Sequence, residues 1–150
     1  MNVNQAIHLR PPRIAMAAAA IAALVHLLVP VTVHQPLPIM GVLAGTGGFL
    51  LMIRAWWLFR QSGTAICPTA PSTVLVTKDV FRLTRNPMYL GIAAMVAAPG
   101  LATGSPSFYL AAMAFIVIVD RVFCRHEEQK AIAEFGATYR QYARSVRRWL

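Results

Sequence analysis

A chain of 150 residues that is 57% hydrophobic and only 13% charged carries more apolar surface than a one-domain soluble fold can hide, since ordinary soluble domains are about 25% charged. Lipid as the solvent for that excess removes the difficulty, so a single integral membrane domain over residues 1–150 is expected. The net charge of +9, from 14 Lys+Arg against 5 Asp+Glu, suits a protein held against anionic lipid, and because the basic residues interrupt membrane-length apolar runs, nucleic acid is set aside as a partner.

Residues 14–33, IAMAAAAIAALVHLLVPVTV, carry no charge over 20 positions. At about 1.5 Å per helical residue they span a hydrocarbon core of roughly 30 Å. Pro11 and Pro12 suit a helix start, where a missing N–H costs nothing. Arg10 and Arg13 flank the run like the basic end of a signal peptide. Its apolar part is long for one and no A-x-A site closes it, so it reads as an uncleaved anchor. Residues 37–59 form a second run, with a G-x-x-x-G at Gly41 and Gly45 and with Gly47 and Gly48 beyond. Small residues let helices approach closely, and the alanine face of the first helix is the expected partner. Trp56 and Trp57 near its end read as interfacial anchors.

Residues 88–103 and 108–123 are two shorter apolar runs joined at Gly104-Ser105-Pro106-Ser107, and Pro99-Gly100 is expected to kink or end the first of them. They either cross with flanking residues snorkelling or form a hairpin that enters without fully crossing. The 31–37 and 100–107 connections contain no Lys or Arg, whereas the N-terminus, the 60–87 segment and the tail contain nearly all of them. The positive-inside rule then places both termini and the 60–87 loop in the cytosol. Beyond the last run, Ile132, Phe135, Tyr139, Tyr142, Val146 and Trp149 fall on one helical face, with Arg140, Arg144, Arg147 and Arg148 off it. Such a basic amphipathic helix lies on a membrane surface or packs on its own protein, and Gly136 marks an expected break in it. The fold class expected is an all-α integral membrane protein. It has about four transmembrane helices, the third and fourth as a short hairpin, and a cytosolic C-terminal amphipathic region over 124–150.

The polar residues gather in three blocks, 63–76, 78–89 and 120–128. In the second, Pro87 pushes Asn86 out of helical geometry, so Arg85 and Asn86 are presented at a helix start rather than wound into it. A helix N-terminus is a seat for a carboxylate, a phosphate or ribose oxygens; the plainer reading is a helix start with a snorkelling arginine. Glu127 and Glu128 point about 100° apart on a helix, so one of them faces a shared pocket, unless both are a solvated pair balancing Arg125 and Lys130. Asp120 and Arg121 lie deeper, where ionisable groups are costly; they are functional suspects, or a structural ion pair with Arg54 or with each other. His26 and His34 read as structural, no metal site is expected, and Cys67 and Cys124 read as free thiols.

The run Arg85-Asn86-Pro87-Met88-Tyr89-Leu90-Gly91 resembles the R-[HN]-P-x-Y-hydrophobic-G signature of the isoprenylcysteine carboxyl methyltransferase and phospholipid methyltransferase group, integral membrane enzymes that use S-adenosylmethionine. Glu127-Glu128, followed by Phe135-Gly136 and by Tyr139 and Tyr142, is similar to that group's C-terminal motif. The stretch STVLVTKDVFRL resembles its lead-in, so the resemblance covers roughly residues 54–149. It implies that Thr73, Val74, Leu75, Val76 and Phe81 line the cofactor and that Asn86, Pro87, Met88 and Tyr89 cradle it. Glu127 would bind its polar end, with Arg85 and Glu128 as further cofactor-side candidates. Phe81 stands where the family often has tyrosine, and Asn86 where many members have histidine. The substrate-orienting arginine would be Arg121 or Arg125, with Phe123 filling one alignment of its place.

The chemistry implied is methyl transfer from S-adenosylmethionine to a lipophilic, membrane-resident acceptor. In-line displacement needs alignment and exclusion of water rather than a metal. A carboxylate of the isoprenylcysteine type is already ionised at neutral pH; a phospholipid amine and a small thiol are the alternatives. A non-catalytic binding module and a small four-helix transporter are the readings of another class. Oligomeric state is left open. The whole reading requires that Tyr89 and Glu127 lie close enough to touch one small molecule.

Overall fold

The computed structural model describes residues 11–63 and 74–150, and its regular elements there are helical, with no strand among the described residues. Helix α1 spans Pro11–Leu28 and α2 spans Pro38–Gln61. A single 3-10 turn at Asp79–Arg82 precedes α3, Pro87–Thr103. Helix α4, Pro106–Ile118, runs through a π-helical segment, Val119–Cys124, into α5, Arg125–Ser145.

Two of these boundaries correct the sequence reading, and that of α3 agrees with the 88–103 run without an end at Pro99. The first apolar run continues to residue 33, but α1 ends at Leu28, because Pro30 disfavours helical geometry at Val29. Helix α3 continues past Pro99 to Thr103, whose hydroxyl donates to the Pro99 carbonyl at 2.7 Å. Gly104 then stops it in a left-handed conformation (φ 76°) that a side chain disfavours. The stripe of apolar residues after the fourth run implies helix through Trp149, yet α5 stops at Ser145 and Val146 is extended. The expected break at Gly136 is present, with φ 53° and ψ −120°.

By length and composition three helical stretches can cross a membrane: Pro11–Leu28, Pro38–Gln61 and the run that starts at Pro106. Helix α3 is as apolar but has only 17 residues. Large apolar side chains such as Met16, Leu24, Val42, Leu50, Leu110 and Met113 face outward, which is costly in water and neutral in lipid.

The tightest seam joins α2 to α3. A methyl group at Gly41 would lie 2.7 Å from the Ala102 Cβ, and one at Gly48 would lie 2.6 Å from the Gly91 carbonyl oxygen. The G-x-x-x-G face therefore receives the alanines and glycine of α3, not the alanine face of α1 as the sequence implied. Helix α1 packs instead against α4, where the Ser107 hydroxyl donates to the Ala22 carbonyl at 2.9 Å. Ala15, Ile92, Val96, Phe115, Val119 and Phe123 form the main buried cluster between α1, α3 and α4. The loop at 29–37 joins the α3–α4 turn, with the Val33 N–H on the Gly104 carbonyl at 2.9 Å and His34 Nε2 2.8 Å from the Tyr109 hydroxyl. Both polar connections thus lie at one end of the bundle, and the Arg85–Tyr89 stretch lies at the other.

Candidate functional site

Asn86 precedes α3 with φ −127° and ψ 54°, outside helical geometry, and Pro87 opens the helix fully buried. That is the outcome a proline at the first helical position imposes on its predecessor. The Leu90 N–H donates to the Asn86 carbonyl at 3.0 Å, the first bond of the helix. One turn in, Tyr89 faces α5. Its hydroxyl donates to Glu127 Oε1 at 2.7 Å. The two residues that had to meet are in direct contact, although 38 positions apart in the chain.

The neighbours of Glu127 define its character. Among the described residues, the other four acidic side chains each sit within ion-pair distance of a basic one: Asp79 with Arg54, Asp120 with Arg148, Glu128 with Arg85 and Arg148, and Glu134 with Lys130. Glu127 instead has a tyrosine hydroxyl. Its place beyond the apolar run, on the polar helix α5, is nonetheless poorly hydrated. Burial pushes its carboxyl up to about 6, opposed by the Tyr89 hydrogen bond and by Lys130. The site therefore holds a carboxylate that a tyrosine hydroxyl binds directly and that only the more distant Lys130 faces with positive charge.

Glu128 is not a solvated partner of Arg125 and Lys130. It takes a forked bond from Arg148, Nε at 2.9 Å and Nη2 at 2.6 Å, and an ion pair from Arg85 at 3.0 Å. Arg148 also reaches Asp120 Oδ1 at 3.0 Å, where the Trp149 indole N–H adds a second bond at 3.0 Å. Asp120 thus pairs with neither Arg121 nor Arg54, and Arg54 binds Asp79 through Nε at 3.0 Å. The two carboxylates hold the Arg148 guanidinium more firmly protonated than usual, Glu128 contributing most. Arg85 further approaches the Tyr139 hydroxyl at 3.5 Å, and its buried Nε has no partner among the described residues.

The remaining sequence candidates divide. Val76 and Phe81 are buried with Ala55 and Leu58, and Met88 packs on the same cluster. The Phe81 ring stands edge-on to Phe59 at 5.2 Å, while its carbonyl accepts from the Tyr142 hydroxyl at 2.7 Å. Leu75 is partly buried and Val74 is 47% exposed. Thr73 and Cys67 lie outside the described residues. Arg121 and Arg125 are exposed, and no hydrogen bond or ion pair joins either to Tyr89 or Glu127 among the described residues. Phe123 is buried in the main core, and Cys124 is a buried free thiol.

Four residues of this end escaped the sequence reading as site components: Thr84, Arg147, Arg148 and Trp149. The Thr84 hydroxyl donates to the Arg148 carbonyl at 2.8 Å and accepts the Asn86 N–H at 3.2 Å. The signal available was a charge count. Asp120 and Glu128, close to apolar runs, call for basic partners, and the arginines at 140, 144, 147 and 148 are the unassigned ones that follow them, with nothing in the spacing to choose Arg148.

The family described as phospholipid methyltransferase matches residues 36–138, more than half of the chain. Methanethiol S-methyltransferase 2 of Bradyrhizobium diazoefficiens is 38% identical over 71 residues, which are 47% of this chain and 26% of that protein. An uncharacterized protein of Haemophilus influenzae is 33% identical over 63 residues, 42% of this chain and the whole of that protein. The chain thus spans about a quarter of the length of the methanethiol relative. No solved structure matches it.

Proposed function

The chain belongs to the phospholipid methyltransferase family, and from that premise we propose that it transfers a methyl group from S-adenosylmethionine to a lipophilic acceptor held in the bilayer. The observation that carries the reading is Glu127: a half-buried carboxylate bound by Tyr89 at 2.7 Å and, among the described residues, outside every close ion pair, with Lys130 acting on it only from a distance. A cationic, hydroxyl-bearing ligand satisfies such a group, and S-adenosylmethionine offers an ammonium and ribose hydroxyls. The unpartnered Nε of Arg85 fits the same ligand from the other side, because its buried N–H calls for an oxygen such as a carboxylate.

When bound, S-adenosylmethionine supplies a methyl group on a positively charged sulfur. Glu127 and Tyr89 hold the polar end, and the tyrosine ring offers an electron-rich face to positive charge. Asn86 and Arg85 close the helix-start side. Leu75, Val76 and Met88 give an apolar wall that keeps water from the sulfonium, with Val74 and Phe81 on the same side; Thr73, outside the described residues, stays a candidate from the family resemblance alone. Arg121 and Arg125, exposed at the end of the fourth run, are the groups to orient an acidic acceptor. Both termini and the site face the cytosol, following the distribution of Lys and Arg. The acceptor enters laterally from lipid.

An acceptor already ionised at neutral pH fits a site whose one free carboxylate is committed to the donor. A carboxylate of the isoprenylcysteine type meets that condition, whereas a phospholipid amine must lose a proton first. A second reading, a small or lipophilic thiol, is favoured by the methanethiol S-methyltransferase similarity. Radiolabelled S-adenosylmethionine and the detergent-purified full chain provide the test. Saturable binding that E127A abolishes is expected, followed by turnover on a prenylcysteine carboxylate or an alkyl thiol. The absence of saturable binding refutes the reading, and binding without turnover on any lipid extract favours a non-catalytic module.

A further inference from the structure

The end of the chain is not helix and not surplus. Residues 146–150 leave α5 with Val146 extended (φ −125°, ψ 130°) and run back along the start of α3. Two of their carbonyls serve three donors there. The Arg147 carbonyl accepts the Arg85 N–H at 3.0 Å. The Arg148 carbonyl accepts the Thr84 hydroxyl at 2.8 Å and the Asn86 side-chain amide at 3.1 Å. The side chain of the same Arg148 points to the other half of the site, forking onto Glu128 and reaching Asp120. Trp149 fixes the tail from beyond, its N–H on Asp120 at 3.0 Å and its ring against the main core.

One residue therefore touches both segments that build the donor site, through its backbone on one side and its guanidinium on the other. The charges balance: Asp120 and Glu128 against Arg85 and Arg148, all four side chains between 15% and 27% exposed. A fork that binds one carboxylate through two N–H groups and a second through the third is a geometry only arginine supplies. We propose that residues 146–150 are a clasp, with Arg148 as a positioning residue that holds the Arg85–Tyr89 segment and the Asp120–Glu128 segment in the register needed for Tyr89 and Glu127 to meet around the donor. The inference rests on the donor reading above for its functional consequence, and on the contacts alone for the positioning.

Loss of the side chain leaves Glu128 with Arg85 as its ion pair and Asp120 with the indole N–H and the more distant Arg125. Glu128 then draws Arg85 toward itself, and the segment carrying Asn86 shifts with it. Small misplacements of positioning groups cost large factors in binding and rate.

The experiment compares the full chain with R148A, R148K and W149F in detergent, by two readouts. Calorimetric titration with S-adenosylmethionine is expected to show donor affinity down about tenfold in R148A. R148K should recover little of it, because an ammonium presents no fork, and W149F should lose less than R148A. Amide hydrogen exchange, which needs no donor, is expected to quicken in R148A at both the 84–90 and the 120–128 segments, while the α2–α3 seam keeps its protection. An R148A protein that binds donor as the wild type does, or whose exchange quickens in the tail alone, overturns the clasp. Full rescue by R148K overturns the role of the fork. A wild-type chain without saturable donor binding overturns the donor reading instead, and the exchange pattern still decides the positioning.

Discussion

Replacing Tyr89 by phenylalanine removes one oxygen atom and little else, since the ring keeps its packing. The lost bond is a 2.7 Å donation to a carboxylate in a poorly hydrated place. Hydrogen bonds to charged groups are worth roughly 1.5–3 kcal/mol. If water replaces half of that, about 0.75–1.5 kcal/mol, the donor affinity falls by roughly three- to twelvefold, a tenfold change being about 1.4 kcal/mol. The pH dependence is the sharper readout. Burial holds Glu127 up at about 6 while the Tyr89 hydroxyl pulls it down. A cationic donor requires the carboxylate, so binding is strong above that value and fades as pH falls through it. Without the hydroxyl, Glu127 rises further, and the acid limb of donor binding moves toward neutral pH. Calorimetric titration of Y89F and wild type across acid to mildly alkaline pH measures both effects. An unchanged affinity with an unchanged acid limb would refute the pairing of Tyr89 and Glu127 as the donor's polar anchor.

Glu127→Gln should separate stability from function. Folding raises this carboxyl from its usual 4.5 to about 6, so the charged form is a cost to the native state above that window, relieved as pH falls through it. At roughly 1.4 kcal/mol per pH unit the cost is up to about 2 kcal/mol. E127Q should therefore melt higher than wild type at neutral pH and lose donor binding, and a lower melting point would show that the charge is compensated in the native state. In the α2–α3 seam, G48A should destabilise by about 1–3 kcal/mol through overpacking, its new methyl falling 2.6 Å from the Gly91 carbonyl oxygen. G47A, with nothing within 4 Å, should melt no lower than wild type, since alanine favours a helix interior over glycine, and equal losses in the two would remove the seam's special status. R121A and R125A, both at exposed positions, should leave donor affinity unchanged and raise the KM of an acidic acceptor; a fall in donor affinity in either variant would move that arginine into the donor site.

The bundle and the Tyr89–Glu127 pairing were legible for different physical reasons. Apolar length announced the helices, and proline announced where α3 begins, because both act through nearest neighbours in the chain. The Tyr89–Glu127 contact was legible through the family resemblance, since no local rule brings residues 38 apart together. Three features were not legible. The G-x-x-x-G face of α2 is complementary to any small-residue helix, and α1 and α3 both offer one, so composition could not choose between them. The π segment Val119–Cys124 widens the helix and rotates Glu127 and Glu128 relative to α4, a register change that spacing arguments assume away. The tail was hidden by its own pattern: Val146 and Trp149 continue the 3,4 rhythm of Tyr139 and Tyr142 past the point where the helix has ended.

The close seam and the polar end are one construction. Gly91 lies on the same helix as Tyr89, two residues further in, and it is Gly91 whose backbone meets Gly48 of α2. A backbone-to-backbone approach leaves no side chain to adjust, so the height and rotation of α3 against α2 are fixed where the tyrosine emerges. Among the described residues no such glycine contact fixes α5, which enters through a π segment and carries a non-helical residue at Gly136. Its acidic start is held by side chains: the arginine fork with its two carboxylates, the Arg85–Glu128 ion pair and the Tyr89–Glu127 bond. Rigid placement of the aromatic half by glycine, and polar placement of the acidic half by the tail, together bring a hydroxyl to a carboxylate at the edge of a bundle otherwise built for lipid.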